Sequence, residues 1–359
     1  MNFLIVFLVS CLITILCTPF IIAIAKKYRL VDDPTHRYHP AHTHKGIIPR
    51  AGGAAIYVGI VLSTLAFVPL SNLIISILLG STLLVIVGIL DDIHDVNPYI
   101  RLATNAFAAL IVVLSGAGIP YITNPLGGII QLDTIQFTLP FFNNYTIYVL
   151  SDIFAFLWIM WTMNIVGWSA GVDGQMPGFV AICALTLGLL SLRFVATDTS
   201  QVSITLLAFI VSGAFIGFLP WNFFPQKIMP GYSGKTLAGF LLALLAILSY
   251  GKVGTALLVL GVPMMDAVYT LIRRIGSKKS PVLADRGHLH HRLLDLGWSK
   301  RKIALFYWFV SAILGAIALT VTSKQKFFAF LVVAVGFGGF LLWVAFFTQF
   351  SSPQDRDNG

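Results

Sequence analysis

The stretch "NLIISILLGSTLLVIVGILDDIHD" spans residues 72–95 and is apolar until it stops on three aspartates. Its first nineteen residues carry no charge. As a helix rising about 1.5 Å per residue they cross most of a hydrocarbon core about 30 Å thick. Runs of this kind recur along all 359 residues. The chain is 57% hydrophobic and 10% charged, with a mean hydropathy of +0.89. A water-soluble domain carries about 25% charged residues, so a soluble body is excluded. The expected fold class is all-α, a polytopic membrane helix bundle of about 11 transmembrane helices. The spans fall near 3–25, 51–69, 72–90, 102–122, 145–163, 177–193, 203–220, 236–250, 253–271, 303–322 and 327–349. Residues 1–349 read as one bundle and 350–359 as a short polar tail. "LVSC" at 8–11 has the look of a lipoprotein signal, but no basic segment precedes it and the apolar run continues, so it reads as part of a retained first span. Cys11, Cys17 and Cys183 have no metal-ligand spacing.

Eleven spans put loops 26–50, 91–101, 164–176, 221–235, 272–302 and the tail on one side. That side holds 19 of the 23 Lys and Arg residues, the other 4. The positive-inside rule makes the first side cytoplasmic, with the N-terminus outside and the C-terminus inside. All eight histidines and ten of the fourteen acids fall on that side, and every acid is an aspartate. Solvated loops account for the lysines but poorly for the gathered histidines. A site on the cytoplasmic face of the membrane is the expectation.

Four polar stretches carry the chemistry. "GILDDIHD" (88–95) adds Asp91, Asp92 and Asp95 to the negative end of a helix dipole, a placement that calls for a cation. Hard oxygen ligands favour Mg²⁺ or Mn²⁺ shared with substrate phosphates. "NIVGWSAGVDGQMPG" (164–178) offers Asn164 and Asp173 among four glycines, which allow tight turns against a ligand. "SPVLADRGHLHHRLLDLG" (280–297) gathers Asp285, Arg286, His288, His290, His291 and Arg292, a set suited to an anionic diphosphate. "VDDPTHRYHPAHTHKGIIPRAGG" (31–53) brings Arg37, Lys45 and Arg50 as phosphate-holding bases. Anionic lipid headgroups would attract the same bases.

Together these stretches, in this order, resemble the polyprenyl-phosphate N-acetylhexosamine-1-phosphate transferases over about residues 5–300, and most closely the branch that uses UDP-N-acetylglucosamine. The resemblance implies transfer of a sugar 1-phosphate from a UDP-sugar to a membrane polyprenyl phosphate, with release of UMP, dependence on Mg²⁺ and a role in cell-envelope glycan synthesis. It implies catalytic and metal roles for Asp91, Asp92 and Asp173. It gives substrate binding to Asn164, His288, His290 and His291, while Lys227, Lys235, Asp285, Arg286, Arg37, Lys45 and Arg50 are expected to bind substrate on their own chemistry. The expected partners are the UDP-sugar, the polyprenyl lipid and the membrane, with a homodimer open and no nucleic acid.

The chain departs from the family pattern at four places. Gly167 stands for an asparagine and Ala170 for an aspartate, while in "PQKIMPGYSGK" (225–235) Tyr232 stands for an aspartate and Lys235 for a serine. The site is about three charges more positive than the pattern, and Lys235 is expected to take over part of a metal ion's task. A catalytically degenerate binder is the alternative; a transporter is the second, since Asp152 and Asp266 lie inside spans. Asp266 reads equally as facing the site or as a helix-packing polar group. "GYSGKT" (231–236) is no nucleotide-binding P-loop, because Met229 occupies the first glycine's place and no strand precedes it.

Overall fold

A computed structural model describes residues 2–34, 43, 46–124, 127–139, 145–249, 252–278 and 287–350. Arg37, Lys45, Asp285, Arg286 and the tail beyond residue 350 lie outside the described residues. In chain order the elements are α1 (Phe3–Lys27), β1 (Val31–Asp32), β2 (Ile48–Pro49), α2 (Gly52–Phe67), α3 (Asn72–His94) and α4 (Pro98–Val113). There follow β3 (Tyr121–Thr123), β4 (Ile129–Gln131), β5 (Gln136–Leu139), β6 (Tyr145–Tyr148), α5 (Val149–Trp168) and α6 (Gln175–Leu192). The rest is helical: α7 (Ser200–Asn222), α8 (Gly231–Leu248), α9 (Lys252–Val259), α10 (Gly261–Gly276), α11 (Leu289–Asp295), α12 (Lys300–Thr320) and α13 (Ser323–Phe350). The strands pair as three antiparallel two-stranded hairpins, β1–β2, β3–β4 and β5–β6.

The protein is a multi-pass helical membrane bundle. Among the described residues eight helices are long and apolar enough to cross a membrane, or nine if α9 and α10 form one broken span. Two further expected spans are the 16-residue helices α2 and α4, about 24 Å long. Against the expected eleven, the described residues hold eight or nine helices of crossing length and these two shorter apolar helices. Buried side chains of α5, α6, α7 and α8 make the centre of the core, whereas α1 and α13 expose apolar faces such as Leu4, Leu8, Val332 and Val335.

Where element ends differ from hydropathy, a local cause is visible. The span expected over 102–122 begins at Pro98, because Asn97 accepts the Tyr99 N–H at 2.9 Å with proline in the first helical position. It ends at Val113, before Gly116 with φ of 101° and Pro120. The span expected over 253–271 is bent by 84° between α9 and α10, where Gly261 and Pro263 weaken the hydrogen-bond ladder. The helix expected from 236 starts at Gly231, so "GYSGKT" is a helical first turn rather than a loop.

That turn is packed through glycines. A Cβ on Gly88 would run into the Ser233 backbone, and one on Gly53 into the backbone of Gly234. Backbone bonds complete the clasp: Gly52 N–H to Met229 O at 3.0 Å, Gly53 N–H to Pro230 O at 2.9 Å and Met229 N–H to Pro49 O at 2.7 Å. Gly88→Val should therefore separate α3 from α8 and lower stability by about 1–3 kcal/mol, as overpacking does. A melting curve in detergent checks this, against Gly336→Val on α13, where an added Cβ meets nothing within 4 Å.

Candidate functional site

Two polar groups assemble from separate loops at one end of the bundle. The first is built on the end of α3. Asp91 and Asp92 are both buried, 1% and 5% exposed. Asp92 accepts the Tyr232 N–H at 3.0 Å and the Ser233 hydroxyl at 3.3 Å, so it caps α8 from another helix. Arg50 Nε lies 3.3 Å from the same carboxylate. Gly231, at φ of 68°, passes so close to Asp92 and the Arg50 carbonyl that a side chain would collide with both. Arg50 is held at the end of β2, its N–H bonded to Leu30 O at 3.0 Å. Asp91 pairs with Arg101 of α4 at 3.3 Å. Arg101 also lies over the Tyr232 ring at 5.2 Å, and Asn105 donates to the Tyr232 hydroxyl at 3.1 Å. The Tyr232 ring is therefore stacked by an arginine beside the two aspartates. Lys235, one turn on, is half-buried and within electrostatic range of Asp92, Asp32, Asp91 and Arg50. It makes no hydrogen bond or ion pair with a described residue.

The second group surrounds the 169–174 loop. Asp173 accepts Lys300 Nζ at 3.0 Å and the Gln226 N–H at 3.3 Å. The Gly174 N–H donates to Asn222 at 3.0 Å, and Trp308 donates to the Gly174 carbonyl at 3.1 Å. His290 packs directly on Gly171, where a side chain would displace it. The histidine rings pack in sequence: His288 parallel to His290 at 5.8 Å, His290 against His291 at 4.3 Å. Trp168, at the end of α5, faces His288 at 6.2 Å. Thr43 bonds the Gly171 carbonyl at 2.9 Å, which brings the α1–α2 connection to the same loop. Residues 223–230 link the groups, touching Asp173 through Gln226 and leading into the first turn of α8.

Asp91, Asp92, Arg50 and Lys235 thus form one group, and Asp173, His288, His290 and His291 the other. Asn164 turns its amide back to Met160 O at 2.8 Å. Lys227 is exposed and lies over Trp221 at 5.1 Å rather than against an acid. Gly167 has open space where a Cβ would stand. Arg101, Asn105 and Lys300 enter unexpectedly, and Asp266, which read equally as facing the site or as helix packing, reaches His288. Arg101 and Lys300 had read only as juxtamembrane charge, and nothing local in the sequence distinguishes them.

Among the described residues no three His, Cys or Asp side chains are grouped as metal ligands. Asp91, Asp92 and Asp173 each face a base of their own, and Asp92 is further occupied by α8. They do not fit a three-carboxylate cage. An ion held by one carboxylate, with phosphates and water, remains compatible with Asp91. The in-span acids are locally engaged: Asp152 accepts the Tyr148 N–H at 3.1 Å and Asp266 the Leu289 N–H at 2.8 Å. Neither bond describes an ion path. A cavity of about 580 Å³ lined by Trp158, Trp161, Leu257, Lys326 and Phe330 holds none of the acids or histidines described above.

Because Asp92 is fully buried and Arg50 nearly so, at 0% and 15% side-chain exposure, Arg50→Ala should cost about 3–5 kcal/mol. Arg101→Ala should cost less, since Arg101 is 31% exposed. Thermal melts of both variants, with Arg50→Ala/Asp92→Asn recovering part of the loss, check the ranking.

One family model and three relatives bear on this geometry. The family model for glycosyl transferase family 4 matches residues 74–250. A "Probable undecaprenyl-phosphate N-acetylglucosaminyl 1-phosphate transferase" of Bacillus subtilis is 28% identical over 336 residues, covering 92% of this chain and 87% of its own. An "Undecaprenyl-phosphate alpha-N-acetylglucosaminyl 1-phosphate transferase" of Haemophilus influenzae is 29% identical over 297 residues, covering 81% and 79%. A "Decaprenyl-phosphate N-acetylglucosaminephosphotransferase" of Mycolicibacterium smegmatis is 28% identical over 348 residues, covering 88% and 81%. Over residues 74–250 the chain is similar to glycosyl transferase family 4, and the relatives extend the similarity over most of its length.

Proposed function

We propose, on the ground of that similarity, that the protein transfers N-acetylglucosamine 1-phosphate from its UDP-sugar to a membrane polyprenyl phosphate and releases UMP. The observation that carries the reading is the convergence of basic, acidic and histidine groups on one end of the bundle: Arg50 and Lys235 beside Asp92, and His290 against the loop that holds Asp173. A soluble anionic donor and a membrane phosphate acceptor meet most easily at such an end. The excess of Lys and Arg on that side supports reading it as the cytoplasmic face of the inner membrane.

The chemistry is displacement at the donor's sugar-linked phosphorus. An acceptor phosphate oxygen forms a new P–O bond, and the bond to UMP breaks, with its electron pair leaving on UMP. The barrier is lowered chiefly by positioning and by positive charge on the transferring oxygens. Lys235, half-buried and with no hydrogen bond or ion pair to a described residue, is placed to supply such charge. The histidines offer donors to the diphosphate-sugar end. Asp91 is the residue to share a Mg²⁺ or Mn²⁺ with substrate phosphates, an ion whose chemistry there is charge neutralisation.

Purified protein given UDP-N-acetylglucosamine and undecaprenyl phosphate should release UMP only when both are present. No UMP with any divalent ion would overturn the transfer reading. Lys235→Ala should lower kcat at least tenfold and raise the Mg²⁺ concentration needed for half-maximal rate. An unchanged rate and metal curve would remove Lys235 from the mechanism.

A further inference from the structure

Asp266 lies on α10 within a span, and its side chain is 1% exposed. Both its oxygens reach across to the start of α11. Oδ2 lies 3.0 Å from His288 Nδ1, and Oδ1 accepts the Leu289 N–H at 2.8 Å. The Thr270 hydroxyl, one turn further along α10, is 3.4 Å from the same Nδ1. A buried carboxylate is costly unless paired, and the imidazole N–H is the donor available to it. Nδ1 therefore carries a proton, which leaves Nε2 as the ring's remaining polar atom.

The consequence passes beyond His288. Its ring is parallel to His290, at an interplanar angle of 5°, and His290 is the ring seated on Gly171. The same carboxylate fixes the first N–H of α11, the helix that carries His290 and His291. We infer that Asp266 is a positioning residue of the donor site: it sets the proton and ring attitude of His288 and, through α11, the placement of His290 and His291 against the 169–174 loop. This rests on the proposed donor role of the histidines. It also resolves what a lone aspartate in "VPMMDAVYTLIRR" (262–274) is for.

The test compares Asp266→Asn and Asp266→Glu in the full chain by UDP-N-acetylglucosamine titration, steady-state UMP release and melting temperature. Asparagine keeps an acceptor for the Leu289 N–H but removes the charge that holds His288. The expected result is donor Kd and KM raised about tenfold, the value for one charge-assisted bond. The KM for undecaprenyl phosphate and the melting temperature should stay close to wild type, and glutamate should restore part of the donor affinity. Equal losses toward both substrates with a lowered melting temperature, or no change in donor affinity, would overturn the inference. If the asparagine variant does not fold, the glutamate variant decides: wild-type donor Kd contradicts the inference, and a raised Kd at unchanged acceptor KM supports it. Wild-type protein that binds donor but releases no UMP contradicts the transfer reading, and the same titration still decides the role of Asp266.

Discussion

The structure depends on a carboxylate that caps a helix it does not belong to. Asp92 ends α3, yet its oxygens receive the backbone and hydroxyl of the first turn of α8. A buried charge in this setting needs hydrogen bonds and an opposite charge together, and Arg50 supplies the second. Three segments are thereby fixed to one another: the end of α3, the β2–α2 junction and the start of α8. Glycines at 53, 88 and 231 are required because the backbones approach too closely for any side chain. Lys235 and Tyr232 stand where they do because of this cap.

The cap also explains what the sequence made legible and what it did not. Apolar length was enough for α1, α3 and α7, whose spans match within a few residues. It failed where a specific bond or residue decides: Asn97 and Gly116 at the ends of α4, Pro263 at the break before α10, and Asp92 at the start of α8. A cap supplied from 140 residues away leaves no mark in the window around Gly231. The acids and histidines of the site were legible because such residues are rare in an apolar chain. Their partners were not, since Arg101 and Lys300 are indistinguishable by type from other juxtamembrane bases.

Charge is balanced locally at this end of the bundle. Asp91 meets Arg101, Asp92 meets Arg50, and Asp173 meets Lys300. Arg101 also stacks on the Tyr232 ring. Among the described residues Lys235 has no carboxylate in bonding contact, a state suited to meeting an incoming phosphate. Asp266 performs for the histidines what Asp92 performs for α8: a buried acid on one helix orders the first turn of another.

The central claim is that separate loops form one donor site. Hydrogen–deuterium exchange with and without UDP-N-acetylglucosamine tests it most directly. The account predicts that residues 169–174, 223–235 and 287–295 gain protection together, while the hairpins over 121–131 and 136–148 do not change. Protection confined to one of the three segments, or appearing at the hairpins instead, would contradict it.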